Sequence, residues 1–582
     1  MKKVLFAAIA IAAAAMTGVL SVGSDAGSDT RPAKFIVLYE ANASPAAVRA
    51  AVKKAEGRIL RANNKVGVAT AISANSHFRG DAEASKAIKG VARNITIGSL
   101  KPSQRPKLAP EFTSQLRKAM KGVKLAPQKR SGAAGYLDSS SRPEPLAGMQ
   151  WDMQQIHATV DGSYKKEKGS KRVLVGILDT GVDGSHPDIA PNFDTALSRN
   201  FTVDDPVVDG SCASDPDGSC NDPSNVDENS HGTHVASTIG SPINGLGMAG
   251  VAPEVTLVNI RAGQDSGYFF LQPSVDALTY AGDHGIDVVN MSYYIDPWLY
   301  NCAANPADSP AEQREQRLVI DVTQRAIDYA RKHGVTTIAA EGNGHTDLGK
   351  PMSDATSPDY PVDANGDPSE ARPRTIDNSC KSMPTEANGV IGVTSVGPSG
   401  RKAYYSSYGL EQADVSAPGG DSRDTPDGSR KIENTILAAY PYEVGIHEDR
   451  APADGKPDID PVTGEPTTPA VIKQGGAYYQ YIQGTSMASP HAVGVAALIV
   501  AEYGKRDKRN GGVTMDPAQV ERILKRTATD HACPPGGVQT YPGLPVPPDT
   551  TDYTARCEGS PQRNGFYGDG IVDALGAVSG RR

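Results

Sequence analysis

From Trp151 onward, apolar runs of strand length alternate with longer helical patterns, and this alternation limits the fold more than any other feature. Residues 172–178 form a continuous apolar run, as expected of a strand covered on both faces. Further strands are expected at 256–260, 287–292, 335–340 and 390–396. Helices are expected at 231–239, 273–284, 318–333, 486–502 and 517–527. Repeated β-α-β units joined by right-handed crossovers imply an α/β class, a doubly wound and mostly parallel sheet with helices on both faces. In such sheets a site forms at the carboxyl ends of the strands. Four stretches rich in Pro, Asp and Gly, at 203–228, 296–316, 345–386 and 419–476, read as surface loops.

Ahead of this body the chain changes character. Lys2 and Lys3, an apolar run over 4–20 and the small-x-small triplet Ser24-Asp25-Ala26 have the form of an export signal over 1–26. An uncleaved membrane anchor is the alternative for a run of that length. Residues 31–98 read as a small α/β module in the order β-α-β-α-β. It has a strand at 34–39, Ser44 and Pro45 opening a helix, strand signal around 66–69, a helix after Asp81 and a strand at 94–98. Residues 99–147 are a Lys-, Pro- and Ser-rich linker with Lys129-Arg130 as one candidate cleavage point, and 148–582 form the large domain.

Charge follows the same division. Between Arg31 and Gly135 there are 21 Lys and Arg against 5 Asp and Glu, whereas the whole chain is at −8. A basic front and an acidic body are two units with attracting fields. A basic arm for nucleic acid is the alternative; it lacks interleaved aromatics, and the acidic body would repel a polyanion. Six cysteines in an exported chain favour disulfides over free thiols, and none has CxxC spacing. Fifteen pairings are possible, of which purely local pairing gives 212–220, 302–380 and 533–557.

Three segments carry the chemistry. Asp179 ends the first apolar strand in Ile-Leu-Asp-Thr-Gly; His231 opens a helix in Asn-Ser-His-Gly-Thr-His; Ser486 opens a long apolar helix in Gly-Thr-Ser-Met-Ala-Ser-Pro. A serine hydroxyl needs an adjacent base, a neutral imidazole can take and return its proton, and a buried carboxylate fixes the imidazole tautomer. A helix N-terminus favours charge developing on an attacked carbonyl. Other readings exist for each segment. Asp-Thr-Gly alone could be half of a paired aspartyl site, but no second such unit is present. His231 and His234 could be a metal pair, but no HExxH Glu lies between them.

In the order Asp, His, Ser, these segments closely resemble the active-site motifs of the subtilisin-like serine peptidases. The resemblance covers about residues 150–580 and implies polypeptide substrates, a triad of Asp179, His231 and Ser486, and no cofactor for catalysis. Asn343, in Ala-Ala-Glu-Gly-Asn, matches the oxyanion asparagine of the family. Ser489 and His491 are expected to support the helix. Ser292, Tyr293, Tyr294, Glu341 and Gly342 align with substrate-binding segments, but Tyr294 stands where relatives have Gly, and Glu341 is unusual there. Both are expected to narrow the pocket. Asp188 and Asn244 align with ligands of the family's structural calcium loop. The 31–98 module resembles the family's inhibitory prodomain, which implies a secreted zymogen with its own prodomain as partner. The expected mature protein is a monomer, free of nucleic acid and of membrane. Rival readings are a non-catalytic binding protein on this scaffold and a metal hydrolase using His231 and His234.

Overall fold

The computed structural model describes residues 32–93, 144–205, 208–212, 218–359, 371–447, 471–542, 544 and 553–580. The export signal, the strand expected at 94–98 and most of the linker, Lys129-Arg130 included, lie outside the described residues.

The N-terminal unit has one strand more than expected, in the order β1 (Ala33–Tyr39), α1 (Pro45–Lys54), β2 (Gly57–Asn63), β3 (Val68–Ser73), α2 (Phe78–Glu83), β4 (Ile88–Arg93). The single strand expected between the helices is a hairpin, β2 pairing antiparallel with β3, and the sheet order is β2-β3-β1-β4. Alternation sorts β1 between two cores. Val37 and Tyr39 pack with Val48, Val52 and Phe78 inside the unit, while Ile36 and Leu38 face the large domain. The Ser44 hydroxyl caps α1 by accepting from Ala47 N–H, as read from the sequence.

In the large domain, β5 (Leu174–Leu178), β6 (Arg199–Asn200), β7 (Thr256–Arg261), β8 (Val288–Met291), β9 (Thr336–Ala340), β10 (Val390–Val396) and β11 (Val415–Pro418) form one seven-stranded sheet. Its order is β11-β10-β9-β8-β5-β7-β6 and every pairing is parallel. The chain winds outward from β5 to one edge, then returns to β8 on its other side. The switch point therefore lies at the end of β5, directly before Asp179.

Helices α3 (His231–Gly240), α4 (Leu271–Asp283), α5 (Pro310–Lys332) and α6 (Thr485–Tyr503) cover the two faces. One core joins Val175 and Ile177 to α3 and α6; the other joins Leu178 and Val258 to α4, α5 and the outer face of the N-terminal sheet. α6 is apolar on all sides and fully buried from Thr485 to Val500, which explains why its sequence has no amphipathic stripe.

α5 begins eight residues earlier than expected, inside a stretch read as loop. Ser309 and Glu312 form a reciprocal capping box, with Pro310 in the first helical turn. The 345–386 stretch is also structured, with a hairpin of Met352–Asp354 and Arg374–Ile376 around a fully buried Arg374. Arg374 bonds Asp354 and Asp308 at 2.6 and 3.0 Å and lies over the Trp298 ring. The 419–476 stretch supplies Ile436–Tyr440 and Val471–Gln474, which flank Ala477–Ile482. The six cysteines pair locally as 212–220, 302–380 and 533–557.

Candidate active site

Leu178 of β5 pairs with Met291 of β8, so Asp179 and Ser292 leave the sheet side by side at its carboxyl edge. Asp179 is fully buried, and its Oδ1 accepts from His231 Nδ1 at 2.6 Å and from Thr180 N–H at 2.8 Å. This bond fixes His231 with Nε2 as the outer nitrogen. The Asp179 backbone carbonyl accepts from Ala262 and Gly263 N–H beyond the end of β7, which anchors the turn.

Asp227, which the sequence reading missed, locks the histidine helix onto this strand end. Its Oδ1 accepts from Thr180 Oγ1 and Ser230 N–H, and its Oδ2 from the backbone and hydroxyl of Thr233. Ser230 takes a φ of +92°, rare for a non-glycine residue, directly before His231. The approach is close enough that a Cβ on Gly232 would overlap the Gly181 carbonyl. His234 lies on the inner side of α3, its Nε2 bridging the carbonyls of Ile436 and Gln480. Burial first, against the pull of those carbonyls, lowers its pKa to about 3 and keeps it neutral. This is a structural tie, and the two histidines do not form a metal pair.

α6 packs against α3 and brings Ser486 to the same edge. Ser486 Oγ donates to the Ser292 carbonyl at 3.3 Å, and Ser292 Oγ donates to the Ser486 carbonyl at 3.0 Å. Ser489 Oγ donates to Asn290 Oδ1, while His491 spans from the Met487 carbonyl to Asp152 Oδ2, so both hold the helix in place. Asn343 Oδ1 accepts from the backbone and hydroxyl of Thr485, which leaves its Nδ2 as a donor.

Ser486 and Asn343 line a cleft of about 600 Å³ together with Ser292, Tyr293, Tyr294, Glu341 and Gly342. Leu299 and Tyr300, from a stretch read as loop, form part of its wall. Tyr300 is tied down twice, by its hydroxyl to Thr346 Oγ1 and by its carbonyl to Arg374 Nη2. The Tyr294 hydroxyl donates to Asp359 Oδ2 at 2.8 Å. Burial pushes the Asp359 pKa up to about 6, against the lowering effect of that bond. Tyr293 stacks on Phe269 with ring centroids 4.1 Å apart, and burial raises its pKa. The Glu341 carboxyl lies against Gly392, in line with the missing side chain there. Neither of its oxygens accepts a hydrogen bond among the described residues. Burial, then repulsion from Glu386 and Asp414, holds its pKa well above the carboxylate range, so it is a neutral acid behind the wall.

Asp188 and Asn244 lie together but apart from the cleft. Asp188 Oδ1 accepts from Asn244 Nδ2 at 3.2 Å, and its Oδ2 accepts from Met248 N–H and Tyr479 Oη. Glu144, also missed from sequence, joins them: its Oε1 accepts from Gly245 N–H, while its buried Oε2 accepts no hydrogen bond among the described residues. Burial is the main cause of a raised pKa at both acids, to about 7 at Asp188, where the charge of Glu144 adds to it.

The sequence profile of the subtilase family of S8 peptidases matches residues 170–566, the span that contains every group just described except Glu144 and Asp152. The chain belongs to the subtilase family. This subtilase is 26% identical over 410 residues to fervidolysin of Fervidobacterium pennivorans, covering 68% of this chain and 42% of that protein. It is 27% identical over 358 residues to subtilisin DY of Bacillus licheniformis, covering 62% of this chain and 84% of that protein. It spans 58% of a thermophilic serine proteinase from Bacillus sp. strain AK1. Among solved structures, the epidermin leader peptide processing serine protease of Staphylococcus aureus shares the fold, with a TM-score of 0.57 at 19% identity over 95% of this subtilase and 99% of that chain.

Proposed function

We propose that this subtilase is a secreted serine endopeptidase made as an inhibited precursor. The observation that carries the reading is the 2.6 Å bond from a fully buried Asp179 to His231 at the edge where Ser486 and Asn343 share a cleft. In the proposed reaction Ser486 Oγ attacks the scissile carbonyl carbon and its proton passes to His231 Nε2. Asp179 stabilises the imidazolium, and Asn343 Nδ2 donates to the oxyanion. The C–N bond breaks as His231 returns the proton to the leaving amine, and water then cleaves the ester by the same route. A serine-directed fluorophosphonate should label the active protein and fail to label Ser486→Ala. Equal labelling of both proteins would end the proposal.

The N-terminal unit is the proposed inhibitor. Its sheet covers α4 and α5, and its cations meet acids there: Arg61 with Asp276, Lys65 with Asp283 and Lys89 with Asp321. A cut before Glu144 is favoured, because Leu146 is buried with its N–H donating to the Gly247 carbonyl and Glu144 Oε1 accepts from Gly245 N–H. Export rests on the form of residues 1–26 and on three disulfides. Among the described residues no helix is long and apolar enough to cross a membrane.

Tyr294, Leu299 and Tyr300 bound the cleft and favour a narrower substrate range than an open subtilase pocket, with Glu341 supporting the wall from behind. Substrate profiling that returned broad apolar preferences would exclude this. Two facing carboxylates, one with an orphaned buried oxygen, fit a calcium ion at the 240–248 loop, held by Asp188, Glu144 and the side-chain oxygen of Asn244 once its amide turns over. Such an ion supplies structural cross-linking and takes no part in the reaction.

A further inference from the structure

Two stretches that read as loops in the sequence meet beside the cleft. Asn301–Cys302 pairs antiparallel with Cys380–Lys381, with Cys302 opposite Cys380 and Asn301 opposite Lys381. Continuing that register sets Tyr300 opposite Ser382, and both of these line the cleft. Residues two apart in a strand lie on one face, so the Cys302–Cys380 disulfide and this cleft pair share a face of the ribbon. A ribbon of so few pairs is not stable by itself. The cross-link joins segments 78 residues apart in the chain.

What the ribbon holds in place is the Tyr300 ring. The ring is buried and crosses from the 299–302 strand to the loop that carries Asn343. Its hydroxyl donates to Thr346 Oγ1 at 2.9 Å and lies 3.5 Å from where a Cβ on Gly344 would stand. The backbone is fixed on either side. Leu299 N–H donates to Ser357 Oγ at 3.2 Å, the Tyr300 carbonyl accepts from Arg374, and Cys302 N–H donates to Gln316 Oε1 at 2.7 Å. The partner strand is tied to the catalytic sheet, because Thr385 Oγ1 donates to the Ala340 carbonyl at 2.7 Å. The ring is thus held at both ends and forms a fixed wall across the cleft. An attacked carbonyl stands between Ser486 and Asn343, so the side chain on the adjoining Cα is the one that enters the cleft they line and meets this wall.

We propose that Tyr300 is a specificity-determining residue that limits the size of the side chain on the residue supplying the scissile carbonyl, and that the Cys302–Cys380 cross-link positions it. The inference rests on Ser486 being the nucleophile. Without the cross-link so short a ribbon opens locally, the ring withdraws, and larger side chains enter. The cysteines act through Tyr300 and take no part in bond making or breaking.

The test uses two peptides that differ only in Ala or Phe before the scissile bond, cleaved by the protein expressed as the full chain. The readout is the ratio of kcat/KM for the Phe peptide to that for the Ala peptide. A ratio within one preparation cancels the fraction of active enzyme, so partial misfolding cannot produce the effect. Tyr300→Ala should raise the ratio about tenfold or more. The double variant Cys302→Ala/Cys380→Ala should raise it in the same direction, through a lower KM for the Phe peptide. Its Ser486 should react with a small alkyl fluorophosphonate, which places no side chain in the cleft, at the parental rate. The double variant Cys533→Ala/Cys557→Ala should keep the parental ratio. An unchanged ratio in Tyr300→Ala would overturn the proposal, as would an equal rise in both cysteine double variants. If the chain without the 302–380 cross-link does not fold, Tyr300→Ala decides. A parent that the fluorophosphonate does not label would refute the nucleophile assignment instead.

Discussion

Thr485, the residue before Ser486, donates both its backbone N–H and its hydroxyl to the side-chain oxygen of Asn343, at 2.9 and 3.0 Å. The nucleophile helix thereby sets the orientation of the amide that would meet the oxyanion. Asn343→Ala should lower kcat by about 10²–10³ with little change in KM, because the lost bond forms only in the transition state. Thr485→Val removes one of the two anchors and should cost about tenfold, the value of a single hydrogen bond. Steady-state kinetics on a peptide substrate checks both, and a KM effect larger than the kcat effect would assign Asn343 to ground-state binding.

How much of this was legible in the sequence depends on where each signal resides. Asp179, His231, Ser486 and Asn343 each sit at the end of an element whose apolar run or cap is local, so their positions could be read directly. Asp227 and Glu144 could not. Each acts through a bond to a group brought from a distant segment, the Thr180 hydroxyl in one case and the Gly245 backbone in the other. The 296–316 and 345–386 stretches were read as loops because Arg374 and its acid partners Asp308 and Asp354 look like surface composition until their pairing is seen. The Ser309–Glu312 capping box was visible in that stretch and marks the true start of α5. In the N-terminal unit, the β2–β3 hairpin was merged because β2 is mostly exposed and shows weak apolar alternation.

Asp179→Asn should fold normally and lose about 10⁴ in kcat. The same Oδ1 that holds His231 also accepts Thr180 N–H, so the replaced side chain keeps its anchor but cannot stabilise the imidazolium. The melting temperature of the variant, measured beside its turnover, separates this from a folding defect. A small loss of turnover at unchanged stability would remove Asp179 from the mechanism.

At the interface between the N-terminal unit and the body, one buried amide should outweigh the charge pairs. Arg61, Lys65 and Lys89 have side chains 41 to 48% exposed, and exposed pairs contribute about 0–1 kcal/mol that salt screens away. Asn63 is buried and donates to Asp276 Oδ1 at 2.8 Å and to Thr279 Oγ1 at 2.6 Å. Removing it takes from Asp276 one of its two amide donors, the other being Gln272 Nε2, at about 1.5–3 kcal/mol for a hydrogen bond to a charged group. Added as a separate peptide, the Asn63→Ala unit should therefore inhibit more weakly than any single Lys or Arg variant. Salt should weaken the parent peptide, and inhibition indifferent to both changes would deny the unit its role.

Lys402 gives the sharpest pH prediction. It is fully buried, donates from Nζ to the carbonyls of Ala403 and Ser406, and lies over the rings of Tyr408, Tyr541 and Phe566. Burial, only partly offset by Asp421, lowers its pKa from 10.5 to about 7. Between those values the unfolded chain binds a proton that the folded chain does not, so this lysine makes stability rise with pH across the window. Above it neither state is charged, and below it both are, so the penalty is then constant. The slope is at most about 1.4 kcal/mol per pH unit. Lys402→Met abolishes the titration and should gain relative to its parent as pH falls toward 7. Urea midpoints for the two chains, both carrying Ser486→Ala, should converge or cross as the pH is raised toward about 10. A difference between them that does not change with pH would show that Lys402 stays charged in the fold.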